Sequence, residues 1–222
     1  MGEAGLRINV PEHGAVTAVR TEAARGGRWT VVYAPGAGSN LRDPFGAFAA
    51  HELAARGIAV VRFQFPYMEA GKKGPDRPPV LEATWRAVIE AVRGEMKRDG
   101  RLCTGGRSMG GRIASQVVAQ GVQVDALALL AYPLHPPGKA EQARTAHLPT
   151  IKAPTLFVSG TRDAFGSPAE LRAAAKKVRG ARLHLLEGAD HGFAVPKSSG
   201  RTREDVYAET TGVLADWLET LG

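Results

Sequence analysis

Gly106-Arg107-Ser108-Met109-Gly110 is a G-x-S-x-G, the pattern in which a serine stands on a tight strand-to-helix turn with its hydroxyl exposed. A serine hydroxyl is a weak nucleophile until a base takes its proton, and that base needs an acid to hold its tautomer. Downstream lie two further glycine-containing loops, Gly160-Thr161-Arg162-Asp163-Ala164-Phe165 and Glu187-Gly188-Ala189-Asp190-His191-Gly192-Phe193. Ser108, Asp163 and His191 are separated by 163 − 108 = 55 and 191 − 163 = 28 residues. Any one of the three is a common turn or surface residue. Their occurrence in this order, each just past an apolar run, points to nucleophilic attack on an acyl carbon with Ser108 as nucleophile, His191 as base and Asp163 as its orienting acid. Asp190 adjoins His191 in sequence and is badly placed to orient that ring.

The elements that must position these residues alternate along the chain. Apolar, β-branched-rich runs at Thr30–Ala34, Ile58–Phe65, Arg101–Thr104, Ala126–Tyr132, Thr155–Ser159 and Arg182–Leu186 predict strands of a parallel sheet covered on both faces. Leu6–Val10 and Ala15–Thr21, split by Pro11-Glu12-His13-Gly14, predict an N-terminal hairpin. Between the strands, Leu81, Trp85, Val88, Ile89, Val92 and Met96 form one helical stripe. Asp43-Pro44 opens a helix through about Ala55, Gly111–Ala119 follows the serine, and Ser167-Pro168-Ala169-Glu170 opens a helix ending near Gly180. Val206 to Leu221 marks a C-terminal helix capped by Thr202 and Asp205. This predicts one α/β domain over residues 1–222, a doubly wound, mostly parallel sheet with helices on both faces.

Acyl transfer also needs two N–H donors aimed at the developing oxyanion. The predicted donors are the backbone N–H groups of Met109, next to the nucleophile, and of Ala37, in Pro35-Gly36-Ala37-Gly38-Ser39-Asn40 after the first long strand. Gly36 and Gly38 let that backbone come close to substrate. Tyr67 and Phe193 are expected to line the acyl pocket. Two nucleotide-binding readings of the glycines fail. Gly111-Arg112 stands where a P-loop needs Lys-Ser or Lys-Thr, and Leu41 stands where a dinucleotide fingerprint needs its third glycine.

Composition narrows the class further. The chain has 222 residues, 44% hydrophobic and 23% charged, ordinary for a globular protein. No apolar run approaches the ~20 residues of a membrane span, and the first residues lack a signal-peptide core. The single cysteine, Cys103, excludes an internal disulfide and suits a reducing compartment; a cytoplasmic location is expected. The net charge of +7 comes from scattered Lys and Arg and reads as a solvated basic surface, with no nucleic-acid partner expected. No His/Cys/Asp/Glu cluster has metal-ligand spacing, so neither metal nor cofactor is expected. The expected partner is a small-molecule acyl substrate.

The elbow, the Asp and His loops and the glycine-rich loop together resemble the α/β-hydrolase superfamily across nearly the whole chain. Phe65-Pro66-Tyr67-Met68-Glu69-Ala70-Gly71, Pro75-Asp76-Arg77-Pro78-Pro79 and Tyr132-Pro133-Leu134-His135-Pro136-Pro137-Gly138 resemble a narrower group. That group is the small dienelactone-hydrolase-like bacterial proteins related to the testis-expressed and KAT8-complex-subunit hydrolase-like proteins. The resemblance implies an eight-stranded sheet and a triad at Ser108, Asp163 and His191. Dienelactone hydrolases proper use a cysteine nucleophile where this chain has Ser108, so their chemistry does not carry over. Many hydrolases have His-Gly before the oxyanion donor; here it is Pro35-Gly36.

Lids of this superfamily are commonly inserted after the strand that ends here near Tyr132. Only Pro133 to Ala153 are available, and prolines at 133, 136, 137 and 149 interrupt them. At most a short helix over about Lys139 to Thr145 fits, which predicts minimal or no lid and an open, shallow site for short acyl chains. The reading is therefore a serine hydrolase acting on a small carboxylic ester. A thioesterase or amidase would use the same triad, and a non-catalytic scaffold on the same fold is the rival from another class.

Overall fold

The computed structural model describes residues 2–222. Eight strands form one sheet: β1 (Glu3–Val10), β2 (Gly14–Thr21), β3 (Trp29–Ala34), β4 (Ala59–Phe63), β5 (Arg101–Arg107), β6 (Ala126–Leu130), β7 (Thr155–Gly160) and β8 (Arg182–Leu186). Their spatial order is β1-β2-β4-β3-β5-β6-β7-β8. The β1–β2 and β2–β4 pairs are antiparallel, and every pair from β4–β3 to β7–β8 is parallel.

Alternation along the central strands serves two cores. Trp29, Val31 and Tyr33 of β3 face a cluster with α1 (Pro44–Ala55) and α6 (Arg203–Thr220). Val32 and Ala34 face the opposite cluster, built with α3 (Pro78–Glu95), α4 (Met109–Ala119) and α5 (Pro168–Ala175). A sheet buried on both faces needs apolar side chains at every position, which is why these strands read as continuous apolar runs.

Several helix starts are written locally. Asp43 accepts from the Gly46 N–H at 2.9 Å with Pro44 in the first turn of α1, and α5 and α6 open on the reciprocal capping boxes Ser167/Glu170 and Thr202/Asp205. Several boundaries differ from expectation. β4 stops at Phe63, and Pro66 opens a short helix, α2 (Pro66–Glu69). β6 stops at Leu130 because Ala131 turns the chain with φ +47°. β5 runs on through Gly105 and Gly106, where a Cβ would lie only 2.0 and 2.1 Å from the carbonyl oxygens of Ala128 and Ala34. α5 ends at Ala175, short of Gly180.

Between β6 and β7 the chain carries no lid. In place of the short helix expected over Lys139 to Thr145 it makes two 3-10 turns, Ala140–Gln142 and Leu148–Thr150, with Ala143 extended between them. The segment is pinned down by the Tyr132 hydroxyl donating to the Arg144 carbonyl at 2.8 Å and by the buried Leu134, Leu148 and Ile151. Among the described residues no helix is long and apolar enough to cross a membrane.

Candidate active site

The chain runs outward from β3 to β4 and then crosses back to β5, so β3 and β5 are neighbours whose following loops depart to opposite faces. A crevice forms at such a switch point, outside the carboxyl ends of the strands. Ser108 sits there, on the residue between β5 and α4, with φ +52° and ψ −118°. A non-glycine residue held in this region stores roughly 1–3 kcal/mol of backbone strain. The turn is held by the Ser108 N–H donating to Leu130 O at 2.8 Å and by Arg112 N–H donating to Ser108 O at 3.0 Å. The flanking glycines make room for the neighbouring strand: a Cβ at Gly106 or Gly110 would lie 2.1 or 2.2 Å from the Ala34 carbonyl oxygen.

Ser108, Asp163 and His191 meet at this edge. His191 Nε2 is 2.8 Å from Ser108 Oγ, and His191 Nδ1 is 2.8 Å from Asp163 Oδ2. The other Asp163 oxygen accepts the Phe165 N–H at 2.8 Å, so the buried carboxylate is satisfied on both sides. The acid and histidine loops are also tied to each other: Arg162 N–H donates to Ala189 O at 2.9 Å and Gly188 N–H to Thr161 Oγ1 at 2.8 Å. Gly160 permits that contact, since a Cβ there would lie 2.1 Å from Ala189 O. Asp190 does not touch the imidazole; its Oδ1 accepts the N–H groups of Gly192 and Ala194 and so shapes the histidine loop.

The glycine-rich loop after β3 passes directly against the serine, with a Cβ built on Gly36 falling 3.5 Å from Ser108 Cβ. Ala37 and Gly38 are exposed beside it. The N–H groups of Ala37 and Met109 meet no acceptor among the described residues, which leaves both free to bind an anionic oxygen. Tyr67 and Phe193 stand elsewhere than at a pocket wall. Phe193 is fully buried among Phe45 and Tyr207, with ring centroids 5.1 and 6.3 Å away. Its φ of +62° swings the ring inward, into the core shared with α1 and α6. Tyr67 is 1% exposed, and its hydroxyl accepts the Gly38 N–H at 3.0 Å.

Two features of the site carry no local sequence signal. The Phe165 ring lies against the His191 imidazole, centroids 4.1 Å apart and tilted by 31°. Arg107 Nη2 meets buried Asp43 Oδ1 at 3.1 Å, while Asp43 Oδ2 accepts the Tyr33 hydroxyl at 2.6 Å. The elbow is thereby anchored to the cap of α1, and burial with the adjacent carboxylate holds the Tyr33 phenol well above its ordinary range. Cys103, inside β5, is buried, and burial pushes its thiol far above the range in which a thiolate would form.

Relatives agree with this architecture. A serine hydrolase homologue from Coxiella burnetii is 19% identical, with 96% of this chain and 98% of that chain covered at a TM-score of 0.76. A dienelactone hydrolase from Anabaena variabilis is 18% identical, covering 99% and 97% at 0.77. A serine hydrolase without a lid from Xanthomonas campestris is 19% identical, covering 98% and 95% at 0.73. The family model described as "Alpha/beta hydrolase domain" matches residues 27–219, and the chain belongs to that family of hydrolases.

Proposed function

We propose that this protein hydrolyses small carboxylic esters through Ser108, His191 and Asp163. The observation that carries the reading is the imidazole of His191 bridging the Ser108 hydroxyl and the Asp163 carboxylate, 2.8 Å from each. His191 Nε2 takes the Ser108 proton as Oγ bonds to the acyl carbon, and Asp163 stabilises the imidazolium. The oxyanion rests on the N–H groups of Ala37 and Met109, strengthened by the N-terminal end of α4. As the tetrahedral intermediate collapses, the C–O bond to the alcohol breaks and imidazolium returns the proton to the departing alkoxide. Water then repeats the sequence: His191 takes its proton, its oxygen adds to the acyl carbon, and Ser108 leaves with that proton as the carboxylic acid is released.

Substrate size follows from the lidless segment between β6 and β7. With only two 3-10 turns there, a long acyl chain finds no covering wall, so short acyl groups fit best. The test is labelling by a fluorophosphonate, followed by p-nitrophenyl esters from acetate to palmitate. Expected are labelling at Ser108, loss of labelling and turnover in Ser108→Ala, and rates that peak at short chains. Folded wild-type protein that resists the probe would favour a scaffold. Rates that peak at palmitate, or jump above the substrate's critical micelle concentration, would overturn the open-site reading.

A further inference from the structure

Tyr67 ends a strut that begins far from the serine. Glu69, in α2, accepts the Thr17 N–H of β2 at 2.6 Å and Gln64 Nε2 at 2.9 Å. The Tyr67 N–H donates to Asp76 Oδ2 at 2.8 Å, and the Lys72 N–H donates to Tyr67 O, also at 2.8 Å. The Tyr67 ring stacks on Phe65 with an interplanar angle of 17° and is buried. The segment that bears this tyrosine is thus tied down on several sides, and its hydroxyl reaches out of it to one backbone group, the N–H of Gly38.

Gly38 needs such a partner. It has φ +73°, no side chain and an exposed position, so beyond the turn that Ser39 N–H closes on Gly36 O its own backbone supplies few restraints. On its other side, Gly36 is packed against Ser108 and its carbonyl accepts the Ser39 N–H at 3.2 Å. Ala37 lies between these two points, and the direction of its N–H is set by the Gly36–Ala37 peptide plane. A donor stabilises an oxyanion only when aimed before the charge develops.

We infer that Tyr67, held by Asp76, is a positioning residue that clamps Gly38 and so keeps the Ala37 N–H aimed at the oxyanion. The inference rests on the ester-hydrolase reading of the Ser108 site. Tyr67→Phe keeps the ring and deletes the acceptor; it should lower kcat on p-nitrophenyl acetate by about 10- to 100-fold, with KM little changed. A matched thionoester, whose sulfur is a poor hydrogen-bond acceptor and already forfeits the hole, should lose distinctly less. Asp76→Ala should reproduce the defect and Asp76→Asn should rescue it, since the amide oxygen still accepts the Tyr67 N–H.

Folded Tyr67→Phe with wild-type kcat would overturn the inference, as would equal losses on the oxoester and the thionoester. If Tyr67→Phe does not fold, the Asp76 pair decides: Asn matching wild type while Ala falls supports the clamp, and Ala matching wild type refutes it. Ser108→Ala that still turns over would refute the reading of the site itself. An inert Ser108→Ala beside a neutral Tyr67→Phe would refute the clamp alone.

Discussion

Two serine–histidine pairs lie within one helical segment, and they differ in everything but distance. Ser108 Oγ stands 2.8 Å from His191 Nε2; Ser115 Oγ, two turns along α4, stands 2.8 Å from His147 Nε2. Ser108 precedes the helix at positive φ and is partly exposed, while Ser115 is inside it and fully buried. Ser115 Oγ donates to the Arg112 carbonyl at 2.7 Å, so toward His147 it acts as an acceptor. Ser108 Oγ has no such backbone partner among the described residues and can give its proton to the imidazole. His191 is backed by the Asp163 carboxylate, whereas burial and the charge of Arg112 push the His147 pKa down. Hydrogen-bond distance is therefore a poor guide to catalysis. Access, the direction of the proton and an acid behind the ring distinguish Ser108, the proposed nucleophile, from the buried Ser115.

Substitutions can break this contrast, the largest effect coming first. Ser108→Ala should cost on the order of 10⁴-fold or more in kcat/KM, and Asp163→Asn about 10³- to 10⁴-fold through loss of the productive imidazole tautomer. Esterase assays with circular dichroism as a folding control measure both; a near-wild-type rate for either would remove the distinction between the pairs.

Asp43 anchors the elbow that only Ser108 occupies. Asp43→Ala strips a cap, the Tyr33 hydroxyl's acceptor and the partner of Arg107, and should destabilise the fold by about 3 kcal/mol in urea titrations. A loss below about 1 kcal/mol would show that water replaces these contacts.

Ser115→Ala should leave esterase activity within about two-fold and cost about 1 kcal/mol of stability. A catalytic loss as large as that of Ser108→Ala would contradict the distinction between the pairs. The smallest expected effect is in pH dependence. The folded pKa of His147 lies below the ordinary 6.5, so the unfolded chain binds its proton first as pH drops. This histidine's contribution is thus full above the ordinary value and declines as pH falls toward the lower, folded pKa. Thermal unfolding from about pH 7 to about pH 5 should show a shallower decline in His147→Gln than in wild type; identical slopes would rule out the shift.

Local patterns made much of the molecule legible. Asp43-Pro44, Ser167-Pro168-Ala169-Glu170 and Thr202 with Asp205 each carry their helix start within a few residues, because a cap satisfies orphan N–H groups one turn away. Strand–loop alternation likewise put Ser108, Asp163 and His191 at one sheet edge, because parallel strands deliver every following loop to the same side. Tertiary structure alone decided what lies across the chain. The Tyr67–Gly38, Asp43–Arg107 and Ser115–His147 contacts join residues 29, 64 and 32 positions apart, with no periodicity to announce them. Phe193 is a similar case. Its place beside His191 suggested a pocket wall, but a left-handed backbone and the aromatic cluster of Phe45 and Tyr207 draw it into the core. Sequence spacing predicts which loop a residue occupies; which way its side chain turns depends on packing partners that arrive from elsewhere in the chain.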